Sequence, residues 1–552
     1  ELSRGGSSAG GTLTAAAGAF LDFRSGTYSM TGTYAGNGAG QVRITGATLA
    51  AQGEATLDFP DGGFGLTSGD IEGPGVFTLR GKFRVDGTAG KSMRTATIHN
   101  EGLFQLAGTG DLRGGYNATF NNQSAGTFEF VSSASFQGFY HGNGGTVFNN
   151  SGTIRKTGTE LATLEVLLNN QSAAAAIDVQ GGTLELSRGG SSAGGTLTAA
   201  AGTFLDFRGG DYTLTGTYAG NGAGQVRITG ANLAVEGTST FNFPNGGFGM
   251  TIGELGGTGT LTVQGKFLAD GSFGKSIRSL TINNEGLFQL AGTGDLRGGN
   301  GTTFNNLGGG TFEFVSSASY EGFYHSNGGT VFNNSGTIRK TGTELVTLEV
   351  LLNNQSAAAA IDVQGGTLEL WRGGDNAGGT LTAAADSFLD FRGGIYSTTG
   401  TYAGSGVGQV RIAGAELAVE GATTFNFPNG GFGMTSGEIN GTGTLTLQGK
   451  FLADGSFGKS IRSLTVNNEG LFQLGGTGNL RGGNGATFEN LSTGTFEFIS
   501  SASYEGFYHG AGGTTFNNSG AVINSGDDTP ELEACYTGDP VGAGITLDQR
   551  CP

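Results

Sequence analysis

The chain has 552 residues, 112 of them glycine, with 7 prolines, 10% aromatic residues, 13% charged residues and a formal net charge of −17. The aromatic content and the lack of a Gly-X-Y period exclude collagen and a structureless low-complexity chain. The acidic balance, with no basic stripe, argues against nucleic acid as a partner, and no apolar run approaches the length of a membrane span.

Taken in chain order, the text opens with Glu1-Leu2-Ser3-Arg4-Gly5-Gly6 and returns to it at Glu185 and, as Glu-Leu-Trp-Arg-Gly-Gly, at Glu369. The spacing is 184 residues. Self-similarity at a fixed period marks a repeat array, whose units bury their apolar faces by stacking on one another. We read 1–184, 185–368 and 369–525 as three copies, the last truncated, and 526–552 as a disulfide-closed cap or linker. Glu1 matches Glu185, which follows Gly181-Gly182-Thr183-Leu184, and no signal peptide precedes it. The parent protein is therefore expected to continue upstream.

Short runs of Thr, Ala, Asn, Leu and Phe between glycines predict strands joined by tight corners. The alanine runs at 173–176 and 357–360 are too short to nucleate a helix and read as corners. The strand Phe128-Glu129-Phe130 and the run Phe20-Leu21-Asp22-Phe23 are expected to put aromatic and acidic residues on opposite faces. Phe136, Tyr320 and Tyr504 keep bulk between copies. Arg84 becomes Leu268 and Leu452, Tyr116 becomes Asn300 and Asn484, and Ser3 becomes Ser187 and Trp371, so these three sites are expected at the surface.

A finer rhythm runs through the second half of each copy. Asn100, Asn122, Asn150 and Asn170 recur at intervals of 22, 28 and 20 residues, and the second copy repeats them as Asn284, Asn306, Asn334 and Asn354. That is the length of one coil of a parallel β-helix. Stacked Asn amides can bond from turn to turn as a ladder. The predicted fold is therefore all-β: a parallel β-helix (β-solenoid) rod of three tandem copies. With about 4.8 Å per turn it would be on the order of 110 Å long.

Motifs that imitate chemistry fail in detail. Gly87-Thr88-Ala89-Gly90-Lys91-Ser92 resembles the end of a phosphate loop, but Val85 stands where the first glycine is needed. The Gly-Gly-x-Gly-x-Asp calcium pattern breaks at Leu261. Asp111-Leu112-Arg113 and Asp295-Leu296-Arg297 could belong to a polysaccharide-cleaving groove, yet the third copy reads Asn479. In Asp22-Phe23-Arg24 the acid and base are expected to diverge. No catalytic residue, metal or cofactor is expected.

Phe139-Tyr140-His141 recurs with Tyr324-His325 and Tyr508-His509. Histidines one copy apart cannot share a metal. The simpler reading is a loop whose aromatics pack on the coil. The sharper one is an aromatic contact patch for surface glycans or another partner, with Trp371 as a further candidate. Cys535 and Cys551, outside the repeated text, are expected to form a disulfide and imply an oxidising setting.

The runs Gly11-Thr12-Leu13-Thr14 through Gln41-Val42-Arg43-Ile44, with Phe148-Asn149-Asn150-Ser151-Gly152, resemble large repetitive secreted bacterial adhesins and autotransporter passengers of the β-helix type. The resemblance implies an extracellular or cell-surface stalk that associates end to end or along a fibre, with no catalytic residues to carry over. The alternative is a polysaccharide-binding or polysaccharide-cleaving β-helix.

Overall fold

The computed structural model describes residues 1–131, 137–315, 321–499 and 506–551. The bulk-keeping positions Phe136, Tyr320 and Tyr504 lie outside the described residues. Two compact units divide the chain within the second copy, Glu1–Leu268 and Ala269–Pro552. Each is an all-parallel β-solenoid, and together they comprise about 23 turns.

In the first unit a turn is closed by three strands. Ala118–Asn122 is followed by Thr127–Phe130 and Gln137–Tyr140 before the chain returns, at Thr146–Asn150, to lie beside its starting strand. Parallel pairing needs such crossovers, because a tight hairpin can only reverse the chain. In this unit turns vary from 19 residues, between the partners Phe64 and Phe83, to 28, between Thr119 and Val147. Glycine is required where turns meet most closely: a Cβ on Gly246 would lie 1.6 Å from the Gly224 carbonyl oxygen.

The interior is filled by rings and amides in files. Phe83 stacks on Phe104 at 5.2 Å and Phe104 on Phe128 at 5.0 Å, while Phe120 stacks on Phe148 at 4.9 Å. At the next inward position of the Phe120 strand, Asn100 donates Nδ2 to Asn122 Oδ1 (2.8 Å), Asn122 to Asn150 (2.8 Å) and Asn150 to Asn170 (3.0 Å). Asn122 also donates to the Thr153 carbonyl at 3.1 Å. Asn100 and Asn122 thus each give two hydrogen bonds away from water, the condition under which a buried polar group is tolerated. The second unit repeats the file through Asn284, Asn306, Asn334 and Asn354, at 2.8, 2.8 and 3.0 Å. It runs again through Asn468, Asn490 and Asn518.

An outward file of amides accompanies the inner one: Asn149 donates to Asn121 at 2.8 Å and Asn169 to Asn149 at 3.1 Å. In Asn-Asn pairs the strand's alternation sends one amide inward and its neighbour outward.

Two expectations on facing are corrected. Phe20 points outward, 54% exposed, on the same side as Asp22, because the two are two residues apart on one strand. Asp22 and Arg24 share that side for the same reason, so they do not diverge. Each is paired across turns, Asp22 with Arg43 and Arg24 with Glu1. Tyr116 and Trp371 are exposed, and Arg84, Leu268 and Leu452 are half-buried on outward positions. Tyr116, Asn300 and Asn484 share φ values of 53, 53 and 52°. What persists there is a left-handed corner, which Asn occupies readily, rather than a side-chain volume.

Five lysines turn inward. Lys91 Nζ donates to the carbonyls of Asp86 at 3.0 Å and Ala89 at 2.8 Å, and Lys275 Nζ to those of Phe273 at 3.1 Å and Gly294 at 2.8 Å. Lys459 has the same arrangement. Lys156 and Lys340 likewise reach carbonyls of their own corner and of the next turn, Gly158 with Gly181 and Gly342 with Gly365. Lys91 is therefore a corner fastening, directed away from any external phosphate.

Burial pushes the Lys156 ammonium down to about 8, against an ordinary lysine value near 10.4. Between these values the unfolded chain holds a proton that the folded chain has released, so stability rises with pH across that interval. The buried phenols of Tyr212, Tyr396 and Tyr402 are raised by burial. They stay protonated in the folded chain when the unfolded chain ionises, and the stability they contribute below about pH 10 is lost above it. The thermal midpoint is expected to climb from pH 8 toward about pH 10 and then fall. Lys156→Met should flatten part of the climb, and a midpoint that declines steadily from pH 8 would contradict this assignment.

The segment after Gly526 continues the coil. Glu531–Gly538 pairs with Gly506–Tyr508 and Thr514–Asn518, and Thr546–Gln549 lies on Glu531–Gly538. A Cys535–Cys551 disulfide ties the end of the chain to that strand.

Candidate functional site

Outward arginines fall into two kinds. Arg43 donates through Nε and Nη2 to both oxygens of Asp22, at 2.8 and 2.9 Å, with its guanidinium carbon 3.5 Å from the centre of the Phe20 ring. Arg227 repeats this on Asp206 and Phe204, and Arg411 on Asp390 and Phe388. Bidentate pairing and stacking use most of what a guanidinium offers. These three are clasps between turns.

The other kind lines a trough. The strands Lys91–Arg94 and Leu112–Gly115 are paired so that Ser92 lies beside Arg113 and Arg94 beside Gly115. Their inward positions carry Lys91, Met93 and Leu112, which leaves Ser92, Arg94 and Arg113 facing out. A cleft of about 780 Å³ lies over them, bordered also by Gly114, Gly115, Asp70, Asp111 and Tyr116. Asp70 accepts a hydrogen bond from the Ser92 hydroxyl and sits 3.9 Å from Arg94 Nη2. Arg113 makes no hydrogen bond or ion pair among the described residues. Burial raises the Asp111 carboxyl, opposed by the charges of Arg113 and Lys91. Asp111 Oδ1 is buried with no hydrogen-bond partner among the described residues.

The second unit carries two further versions. Ser276, Arg278 and Arg297 border a cleft of about 380 Å³, with Arg297 3.7 Å from Asp295. In the third copy Ser460 lies beside Arg481 and Arg462 beside Gly483. There Glu438 accepts from Ser460 at 3.1 Å and sits 3.5 Å from Arg462. Asn479 stands in the place of Asp295.

The aromatic candidates flank this face. Tyr140 is the register partner of Arg113 and, one turn on, of Glu165. Its hydroxyl bonds to Thr163, and burial raises its pKa. His141 Nε2 lies 3.4 Å from Glu165 Oε1 and touches Arg188. Tyr324 repeats the Tyr140 setting with Thr347. His325 borders a pocket of about 350 Å³ with Leu351 and Arg372. Tyr508 faces Glu531 and Glu533, and the His509 ring is half-buried beside it. Trp371 is 41% exposed, donates Nε1 to Glu369 at 2.9 Å, and has Arg392 at 6.0 Å from its ring. No group of three or more His, Cys, Asp or Glu side chains suited to a metal occurs among the described residues. No helix long and apolar enough to cross a membrane occurs there either.

Sequence reasoning singled out Asp111 and Arg113 but missed Ser92, Arg94 and Asp70. A signal was present: Lys-Ser-x-Arg recurs at 91, 275 and 459, always about 20 residues before Leu-Arg-Gly-Gly. Comparison with protein families, curated proteins and solved structures finds no match to this chain. By its fold the chain is a β-solenoid protein.

Proposed function

We propose that this chain is a structural and adhesive component of an extracellular, cell-surface stalk or filament, acting as a stiff repetitive rod of the kind found in large secreted bacterial β-helix adhesins. The observation that carries the reading is repetition: the asparagines of the ladder, the Arg, Asp and Phe of the clasp, and the Ser and two Arg of the trough recur in successive copies. An enzyme needs one groove unlike the rest, whereas a stalk gains from several equivalent faces linked along one axis, because linked weak sites multiply apparent affinity. The disulfide suits an oxidising compartment. Association end to end or along a fibre, and contact with surface glycans, are the partnerships this reading calls for.

Polysaccharide cleavage is the competing use of an Arg- and Asp-lined cleft. The exchange of Asp111 and Asp295 for Asn479 weighs against it, since a required carboxylate would leave the third copy inert. Incubation of the full chain with acidic and neutral polysaccharides is expected to release no new reducing ends and no unsaturated products. Turnover that vanished on replacing a single acidic residue would install the enzyme in place of the stalk.

A further inference from the structure

We propose that the Ser-Arg-Arg troughs are binding subsites for acidic sugar residues, so that the adhesive face of the solenoid takes a carboxylate-bearing polysaccharide. The proposal rests on the stalk-and-adhesion reading and names the ligand class of that face.

The clasp arginines set the comparison. Arg43, Arg227 and Arg411 spend their donors on one carboxylate each and lie flat on a ring. In the first trough the arginines keep most of theirs, whereas in the second unit Arg297 lies 3.7 Å from Asp295 and Arg462 3.5 Å from Glu438. Arg113 makes no hydrogen bond or ion pair among the described residues, its charge felt only at the nearby Asp111, and Arg94 only approaches Asp70, at 3.9 Å with its side chain 49% exposed. The two project from adjacent strands, offset by two residues in register. Such diagonal neighbours lie about 7–8 Å apart at their bases, a gap that two long side chains can close around one carboxylate. A guanidinium recognises that group through paired N–H donors, and the pairing strengthens where part of the surrounding water is displaced.

The rest of the trough suits the rest of a sugar. The Ser92 hydroxyl and the Asp70 carboxylate lie in the same row as Arg113, one and two turns before it, and can exchange hydrogen bonds with ring hydroxyls. A neutral sugar would leave both guanidiniums without an anion. A large apolar ligand would find little to bury against.

Asp111 gives the proposal its sharpest test. Its buried oxygen lacks a hydrogen-bond donor, and its charge borders the place where the ligand's charge would sit. In the third copy Asn479 removes that charge while Ser460, Arg462 and Arg481 remain. The third trough should therefore hold an acidic sugar more tightly than the first two. Within the second unit the troughs at Arg297 and Arg481 are 184 residues apart, about eight turns or on the order of 38 Å along the coil. A polymer of modest length spans both.

The experiment measures binding of oligogalacturonate, with dextran of matched length as the neutral control, to the full chain by calorimetry at moderate salt. Wild type should bind the acidic polymer and not the neutral one. The triple variant Arg113→Gln, Arg297→Gln, Arg481→Gln should lose about tenfold or more in affinity, as expected for charge-assisted contacts, with its melting temperature unchanged. Asp111→Asn with Asp295→Asn should bind more tightly, while Arg208→Gln, which removes an exposed pair with Glu185 elsewhere on the coil, should leave affinity unchanged. Absence of binding by wild type, equal binding of dextran, full binding by the triple variant, or weaker binding by the Asp-to-Asn pair would each overturn the proposal. A rod-shaped particle that bound no acidic polymer would sink this site and leave the stalk standing. A compact particle would remove the stalk itself.

Discussion

Asn306→Asp is expected to destabilise the second unit by about 3–5 kcal/mol, the range for a buried charge left without a partner. Asn306 is fully buried in the middle of its file. Its Nδ2 donates to Asn334 Oδ1 at 2.8 Å and to the Thr337 carbonyl at 3.0 Å, while its Oδ1 accepts from Asn284 at 2.8 Å. Aspartate keeps the acceptance and loses both donations. It then sets a negative oxygen against two acceptors, and a buried acceptor left unsatisfied costs about 1–3 kcal/mol. Asn305→Asp is the control: Asn305 donates to Asn283 at 2.8 Å on the outer, half-exposed file, where water can replace the bond and the cost should stay below about 1 kcal/mol. Urea titration at neutral pH reads both. Part of the Asn306→Asp loss should be recovered in mild acid, where a protonated carboxyl can donate once. An Asn306→Asp protein within about 0.5 kcal/mol of wild type would show that the file carries no load.

Phe312→Ala is expected to cost a comparable amount, about 3–5 kcal/mol. Phe312 is fully buried and stands among five rings: Phe288 at 5.3 Å, Phe304 at 5.2 Å, Phe314 at 5.1 Å, Phe323 at 5.8 Å and Phe332 at 5.2 Å. The stacked turns are tied by backbone bonds on three sides and cannot collapse into the void, so the cavity term adds to the lost transfer energy. Phe457, 70% exposed, supplies the contrast. Phe457→Ala should move the urea midpoint by no more than about 0.5 kcal/mol equivalent. Equal effects from the two substitutions would contradict the placement of the core.

The coil was legible because its length is written in the text: the Asn positions 100, 122, 150 and 170 fall in register one turn apart, and the structure bonds each to the next. The inward set of Phe and Asn followed from strand alternation. What alternation could not supply was its phase in the first half of each copy. Gln41–Glu72 runs for 32 residues, more than one turn, as a single strand, so corners there are not marked by breaks. Phe20 lies on the short strand Phe20–Phe23, where it shares the outward side with Asp22 and Phe23 takes the inward one. The trough was illegible for a related reason. Arg94 and Arg113 become neighbours only through a register set by one particular turn length, and turn lengths within the first unit differ by up to nine residues. The buried lysines were hidden because nothing in Lys91 or Lys156 announces that backbone carbonyls will take the place of water.

The central claim, that stacked copies work as a stiff rod, is tested most directly by small-angle X-ray scattering of the full chain in solution. The rod we propose, at about 4.8 Å per turn, would have a maximum dimension on the order of 110 Å and a radius of gyration above about 30 Å, independent of protein concentration at high dilution. A radius of gyration near 24 Å, the value expected for about 550 residues packed as one compact body, would contradict the account.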